Sequence, residues 1–69
     1  MPSGGIRLKG QTLRHLRQNA GHSIRSLAAS IGMSYQMLGA LELGERRASP
    51  PTAKAVADAL GVTVEEIRE

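Results

Sequence analysis

Arginine dominates the chemically active side chains of this 69-residue sequence. Residues 1 to 47 carry Arg7, Lys9, Arg14, Arg17, Arg25, Arg46 and Arg47 against Glu42 and Glu45, a net charge of +5. Residues 48 to 69 carry Lys54 and Arg68 against Asp58, Glu65, Glu66 and Glu69, a net of −2. Six of the seven N-terminal cations are arginine, whose planar guanidinium matches the oxygens of a phosphate. A basic face for a polyanion and an acidic end for something else would give this division. An unevenly charged but merely solvated surface would give it too, so the spacing of the remaining residues has to decide. Other chemistries are poorly served. The absence of cysteine removes a disulfide-stapled fold and a cysteine-ligated zinc module. His15 and His22 have no evident carboxylate partner with which to build a metal site. With no His/acid pair, nucleophile constellation or phosphate loop, the sequence predicts no enzyme, no metal, no cofactor and no small-molecule ligand.

The elements that must position those arginines are short helices. A chain of this size forms one domain and buries only about 60% of the surface its unfolded form exposes. One tyrosine is the only Phe, Tyr or Trp residue, so aliphatic side chains and alanine fill the core. No apolar run reaches the roughly 18 residues of a membrane span, and "MPSGGIRLKG" lacks a signal-peptide stretch; a cytoplasmic protein is expected. Residues 1 to 9 read as an N-terminal arm, loose through residue 8, and residues 10 to 69 as the domain. The first helix is predicted from about Gly10 to Asn19, with Leu13 and Leu16 inward and Gly21 as its left-handed stop. Ser23 caps a second over residues 24 to 31, placing Ile24, Leu27, Ala28 and Ile31 on one face. Ser34 caps a third over about 35 to 43. Ser49 caps a fourth that starts at Pro50, turns Ala53, Val56, Ala57 and Leu60 inward, and stops at Gly61. "TVEE" has the spacing of a capping box, Thr63 with Glu66, opening a last turn that buries Ile67.

The informative unit is "IRSLAASIGMSYQMLGALEL", residues 24 to 43. The turn "IGMS" is short enough to force a close crossing, at which Ala28 is the small residue. Gly32 supplies the backbone angle of the turn, Met33 plugs the gap, and Leu38 and Leu41 anchor the third helix. This spacing describes a helix-turn-helix, whose second helix protrudes and fits the major groove of DNA. The sequence resembles the Cro/repressor-type (XRE-like) helix-turn-helix proteins of phages and bacteria over roughly residues 12 to 67. Leu27-Ala28, Gly32, Ser34, Leu38, Leu41-Glu42, Gly44 and the closing "ALGV" carry the likeness. The resemblance implies an all-α, compact five-helix repressor-like DNA-binding domain, usually a homodimer on a two-fold operator. It also implies a structural salt bridge between Arg17 and Glu42. Three positions depart from the family pattern. Ile24 replaces a phosphate-touching glutamine, Ala48 a loop proline, and Leu43 a polar phosphate-binding residue.

On the third helix, Tyr35, Gln36, Gly39, Ala40 and Leu43 lie opposite Leu38 and Leu41, with Met37 at the boundary. By resemblance, Tyr35, Gln36 and Ala40 fall where the family reads bases, with Gly39 among them. Gln36 can contact an adenine N6/N7 edge in a bidentate way, and Ala40 can meet a thymine methyl. Tyr35 is open between a phosphate contact, a thymine methyl and a partly buried cap. No basic residue lies between positions 26 and 45, so phosphates must be gripped from the flanks. Ser23, Arg25, Ser34, Arg46, Arg47, Arg14, Lys9 and Arg7 are the candidates. The expected function is a sequence-specific transcriptional regulator, a Cro-like or small repressor occupying an operator on double-stranded DNA in a prokaryotic or phage-infected cell. Dimer contacts would come from around Val62, Val64 and Ile67 or from the arm. The alternative is a protein-interaction module such as an antitoxin, antirepressor or polymerase-binding adaptor, touching protein through Leu43 and Met37.

Overall fold

The computed structural model describes residues 5–69, so the first four residues of the arm lie outside the described residues. Five helices follow in order: α1 (Gly10–Asn19), α2 (Ile24–Ser30), α3 (Tyr35–Leu43), α4 (Pro50–Leu60) and α5 (Val64–Ile67). The fold is all-α; the described residues contain no strand. Four of the five starts carry the same device. Ser23, Ser34 and Ser49 accept hydrogen bonds from the backbone N–H of Ser26, Met37 and Thr52, and Thr63 closes a capping box with Glu66. Each satisfies a helix-start donor that would otherwise lack a partner, a contribution of roughly 1 kcal/mol. Helix α2 ends one residue earlier than its apolar spacing predicts. Ile31, at φ −111° and ψ 8°, has left the helix while still packing on the core.

The stops are equally uniform. At Gly32 the chain turns left-handed, φ +71°, so that Met33 N–H reaches the Ala28 carbonyl and Gly32 N–H that of Ala29. At Gly44, φ +75°, Glu45 N–H reaches Ala40 and Gly44 N–H reaches Leu41. Both are Schellman closures, which need a residue without a Cβ penalty at positive φ. These closures fix where α3 begins and ends, and so which residues stand on it.

Helix α3 packs against both α1 and α2, while α5 folds back on α4. One apolar cluster joins Leu8, Leu13, Leu41, Ala48, Ala53, Val56, Ala57 and Ile67; a second joins Leu27, Ala28 and Leu38. Met33 and Leu60 pack against both clusters. Leu38 and Leu41 are fully buried, each contributing roughly 1.5–3 kcal/mol from burial, and they hold α3 in place. Met37 packs on the first cluster, which places it on the core side of the helix. Gly10 marks the closest approach: a Cβ there would collide with the Glu42 carbonyl, so α1 can lie on α3 only with glycine at its first position.

The expectation of a loose arm is corrected for residues 6 to 8. Antiparallel bridges pair Ile6 with Ala48 and Leu8 with Arg68. Ile6 N–H donates to Ala48 O at 2.6 Å, Lys9 N–H to Ile67 O at 2.7 Å, and Glu69 N–H to Arg7 O at 2.9 Å. Leu8 is buried in the main cluster. The segment "IRLK" alternates apolar and basic, as expected where alternate side chains face opposite sides.

Candidate DNA-binding face

Two buried charges brace the helix that carries the candidate base readers. Arg17 Nε donates to Glu42 Oε2 at 2.7 Å and Nη2 to Oε1 at 3.2 Å, a bidentate pair between α1 and α3. Arg17 Nη1 also donates to the His22 carbonyl at 3.0 Å, tying in the loop that precedes α2. Both side chains are less than a tenth exposed, where a charge is tolerable only with its partners in place. Every buried side-chain nitrogen and oxygen among the described residues has a hydrogen-bond partner.

From this brace α3 presents its other side outward. Tyr35 and Gln36 are exposed at its first turn, Gly39 and Ala40 are half-exposed in the middle, and Leu43 stands 72% exposed at its end. Nothing lies within 4 Å of where a Gly39 Cβ would sit, so the surface there is open. Beside it runs a groove of about 490 Å³ lined by Gly10, Gln11, Arg14, Arg17, Ile24, Gly39, Glu42 and Leu43. Arg14, predicted as a flanking phosphate contact, therefore shares one depression with the outer face of α3. Gln11 and Ile24 join it there, a grouping that sequence spacing alone did not reveal.

The remaining gripping candidates divide by position. Arg25 is exposed on the first turn of α2, and Arg46 and Arg47 are exposed in the loop after α3. Ser23 and Ser34 use a lone pair for capping, at 3.0 and 3.1 Å, and each hydroxyl retains its own proton to donate. Arg7 lies elsewhere, half-exposed and 3.8 Å from Glu69, so part of its charge faces the acidic C-terminal segment. Lys9 is exposed just before α1, in the backbone pairing with Ile67. One contact was missed by sequence reasoning altogether. The Arg25 guanidinium carbon lies 3.9 Å from the centroid of the Tyr35 ring. Of the residues considered for dimer contacts, Ile67 is buried within the monomer, while Val62 and Val64 are half-buried against the same core.

A protruding, capped helix braced against two others defines the class: a helix-turn-helix domain, with α2 and α3 as its two helices. Residues 13–67 match the Helix-turn-helix family HTH_3, and the chain belongs to that family. It is similar in structure to the restriction-modification controller protein C.AhdI from Aeromonas hydrophila, with 35% identity and a TM-score of 0.77. That match covers 83% of this chain and 86% of the controller. An HTH_3 family transcriptional regulator from Vibrio cholerae is 30% identical, at a TM-score of 0.73, over 81% of this chain and 32% of the other. Apo-HppE shares the fold at 19% identity and a TM-score of 0.76, over 90% of this chain and 35% of its own. No curated protein matches the sequence. Membership in the XRE-type family marks the chain as a DNA-binding regulator of transcription. No helix among the described residues is long and apolar enough to cross a membrane.

Proposed function

We propose that this chain is a sequence-specific, non-enzymatic regulator that lays α3 in the major groove of an operator, as a Cro-like or small phage or bacterial repressor does. The observation that carries this reading is the outer face of α3: uncharged, exposed at Tyr35 and Gln36, and flanked by exposed arginines. A helix in the major groove can read base edges with neutral as well as charged side chains. It needs hydrogen-bonding side chains for base edges and cations at its borders. Gln36 reads an adenine, Gly39 and Ala40 allow close approach, and Ala40 meets a thymine methyl. Arg46, Arg47, Arg25 and Arg14 hold phosphates, with the Ser23 and Ser34 hydroxyls adding neutral donors and Lys9 and Arg7 a weaker, more distant attraction. Similarity to a controller protein over most of that protein's chain supports a role in transcription control.

The regulator acts as a homodimer in the cytoplasm, at the nucleoid. Binding-site selection from random duplexes tests both parts. A palindromic consensus with half-sites about 10 base pairs apart is expected from a two-fold dimer; recovery of no consensus refutes sequence-specific binding. A second reading, a protein-interaction module, draws on the exposed apolar Leu43. Reversing the charges of Arg46 and Arg47 discriminates: abolished DNA binding with the fold intact supports the regulator, and unchanged biological activity supports the module.

A further inference from the structure

We infer that Tyr35 is a positioning residue for Arg25, holding its guanidinium ready for a backbone phosphate, and that base reading by α3 begins at Gln36. This inference rests on the reading of α3 as the groove-binding helix.

Arg25 is the second residue of α2 and Tyr35 the first of α3, so the turn of the motif brings together two side chains ten positions apart. The 3.9 Å separation of the guanidinium carbon from the ring centroid is a cation–π contact. Both residues are exposed. Among the described residues the ion pairs take Arg7, Arg17, Lys54 and Arg68, leaving Arg25 with no carboxylate within reach. The tyrosine ring is thus the contact that restrains this cation. Held over the ring, the guanidinium still has N–H donors to offer a ligand. The ligand chemistry this fits is a pair of phosphate oxygens, taken in the bidentate way arginine favours. Fixing an otherwise mobile arginine before binding lowers the ordering cost of that contact.

The position of the pair decides between phosphate and base. Arg25 stands on α2, outside the groove-binding helix, and Tyr35 is the first residue of α3, whereas Gln36 and Ala40 lie farther along it. A ring occupied by a cation on one side is poorly placed to specify a base with the same surface. The tyrosine hydroxyl has no necessary part in the arrangement; the ring face does.

The test is a double-mutant cycle read by fluorescence anisotropy, using the duplex recovered by site selection and its single-base variants at several salt concentrations. Tyr35→Phe, which keeps the ring face, should keep the ring-induced shift of the Arg25 resonances and lose less affinity than Tyr35→Leu. Tyr35→Leu should weaken binding about 2- to 5-fold, equally on all duplexes, as expected from losing an exposed cation–π contact. Arg25→Met should lower the log–log salt slope by about 0.9 per subunit, and adding Tyr35→Leu to it should change nothing further. In the free protein, the Arg25 side-chain proton resonances should be shifted by the ring and lose that shift in Tyr35→Leu, with far-UV circular dichroism unchanged. The inference is overturned if Tyr35→Leu alters preference at one base pair and does so undiminished in Arg25→Met, or if Tyr35→Phe loses as much as Tyr35→Leu. A wild type with no preferred duplex would overturn the proposed function itself; a selective wild type without the coupling overturns only the role given to Tyr35.

Discussion

Removing either partner of the Arg17–Glu42 pair should destabilise the domain severely, whereas removing both should not. Arg17→Met leaves both Glu42 carboxylate oxygens without their guanidinium donors, since the 2.7 and 3.2 Å bonds come from the same arginine. Glu42→Leu leaves Arg17 its bond to the His22 carbonyl at 3.0 Å, so that charge keeps one partner. Breaking a fully buried pair costs about 3–5 kcal/mol. These side chains are 9% and 8% exposed, and some water access reduces the expected cost to roughly 2–4 kcal/mol for Arg17→Met and roughly 1–3 for Glu42→Leu. A domain of this size has about 3–10 kcal/mol of total stability, so Arg17→Met should leave a partly unfolded population at 25 °C. The double replacement removes both charges and their desolvation cost, and should stay within about 1 kcal/mol of the wild type. Urea unfolding followed by far-UV circular dichroism gives all three values, with unchanged m confirming that only stability moved. Small, additive single-mutant effects below about 0.5 kcal/mol would refute the claim that this pair acts as a buried unit.

Four further outcomes follow from the packing and from the outer face. Gly10→Ala should destabilise by about 1–3 kcal/mol because its Cβ meets the Glu42 carbonyl. Gly39→Ala, with open space around it, should stabilise by about 0.4–1 kcal/mol while weakening operator binding, measured by thermal melts and anisotropy on the same samples. Ser34→Ala should cost about 1 kcal/mol of stability through loss of the α3 cap, read from the urea midpoint. Arg46→Gln and Arg47→Gln should each lower the salt slope of DNA binding by about 0.9 per subunit without changing the consensus sequence.

The helices were legible because their boundaries are written locally. Ser23, Ser34, Ser49 and Thr63 hydrogen-bond within three residues, and the glycines that close α1 to α4 act on carbonyls of the preceding turn. The inward face of α3 was legible for the same reason, since Leu38 and Leu41 stand one turn apart. What escaped depends on contacts between distant segments. The bridge from Leu8 to Arg68 joins the two ends of the chain, and only the alternation in "IRLK" hinted that residues 6 to 9 are extended and paired. The contact of Arg25 with Tyr35 had no sequence signal, because it depends on how α2 and α3 are set across the turn. The groove beside α3 was missed likewise: Gln11, Arg14, Ile24 and Leu43 come from three helices.

The pair Arg17–Glu42 falls between these cases. A carboxylate in an otherwise uncharged helix asked for a partner, and the family resemblance named it; the burial that makes the pair costly to break comes from packing of α1 on α3. Gly10 carries the same lesson in smaller form. As a helix-starting glycine it looked unremarkable, yet its missing side chain sets the distance between those two helices.

The central claim, that α3 reads DNA sequence, is tested most directly by one affinity ratio: selected duplex against scrambled duplex at near-physiological salt. For the wild type the ratio should reach about 10³ or more. In Gln36→Ala it should fall by roughly 5- to 150-fold, the equivalent of about 1–3 kcal/mol at one base pair, with the salt slope unchanged. Equal affinity of the wild type for both duplexes, or a ratio untouched by Gln36→Ala, would contradict the account.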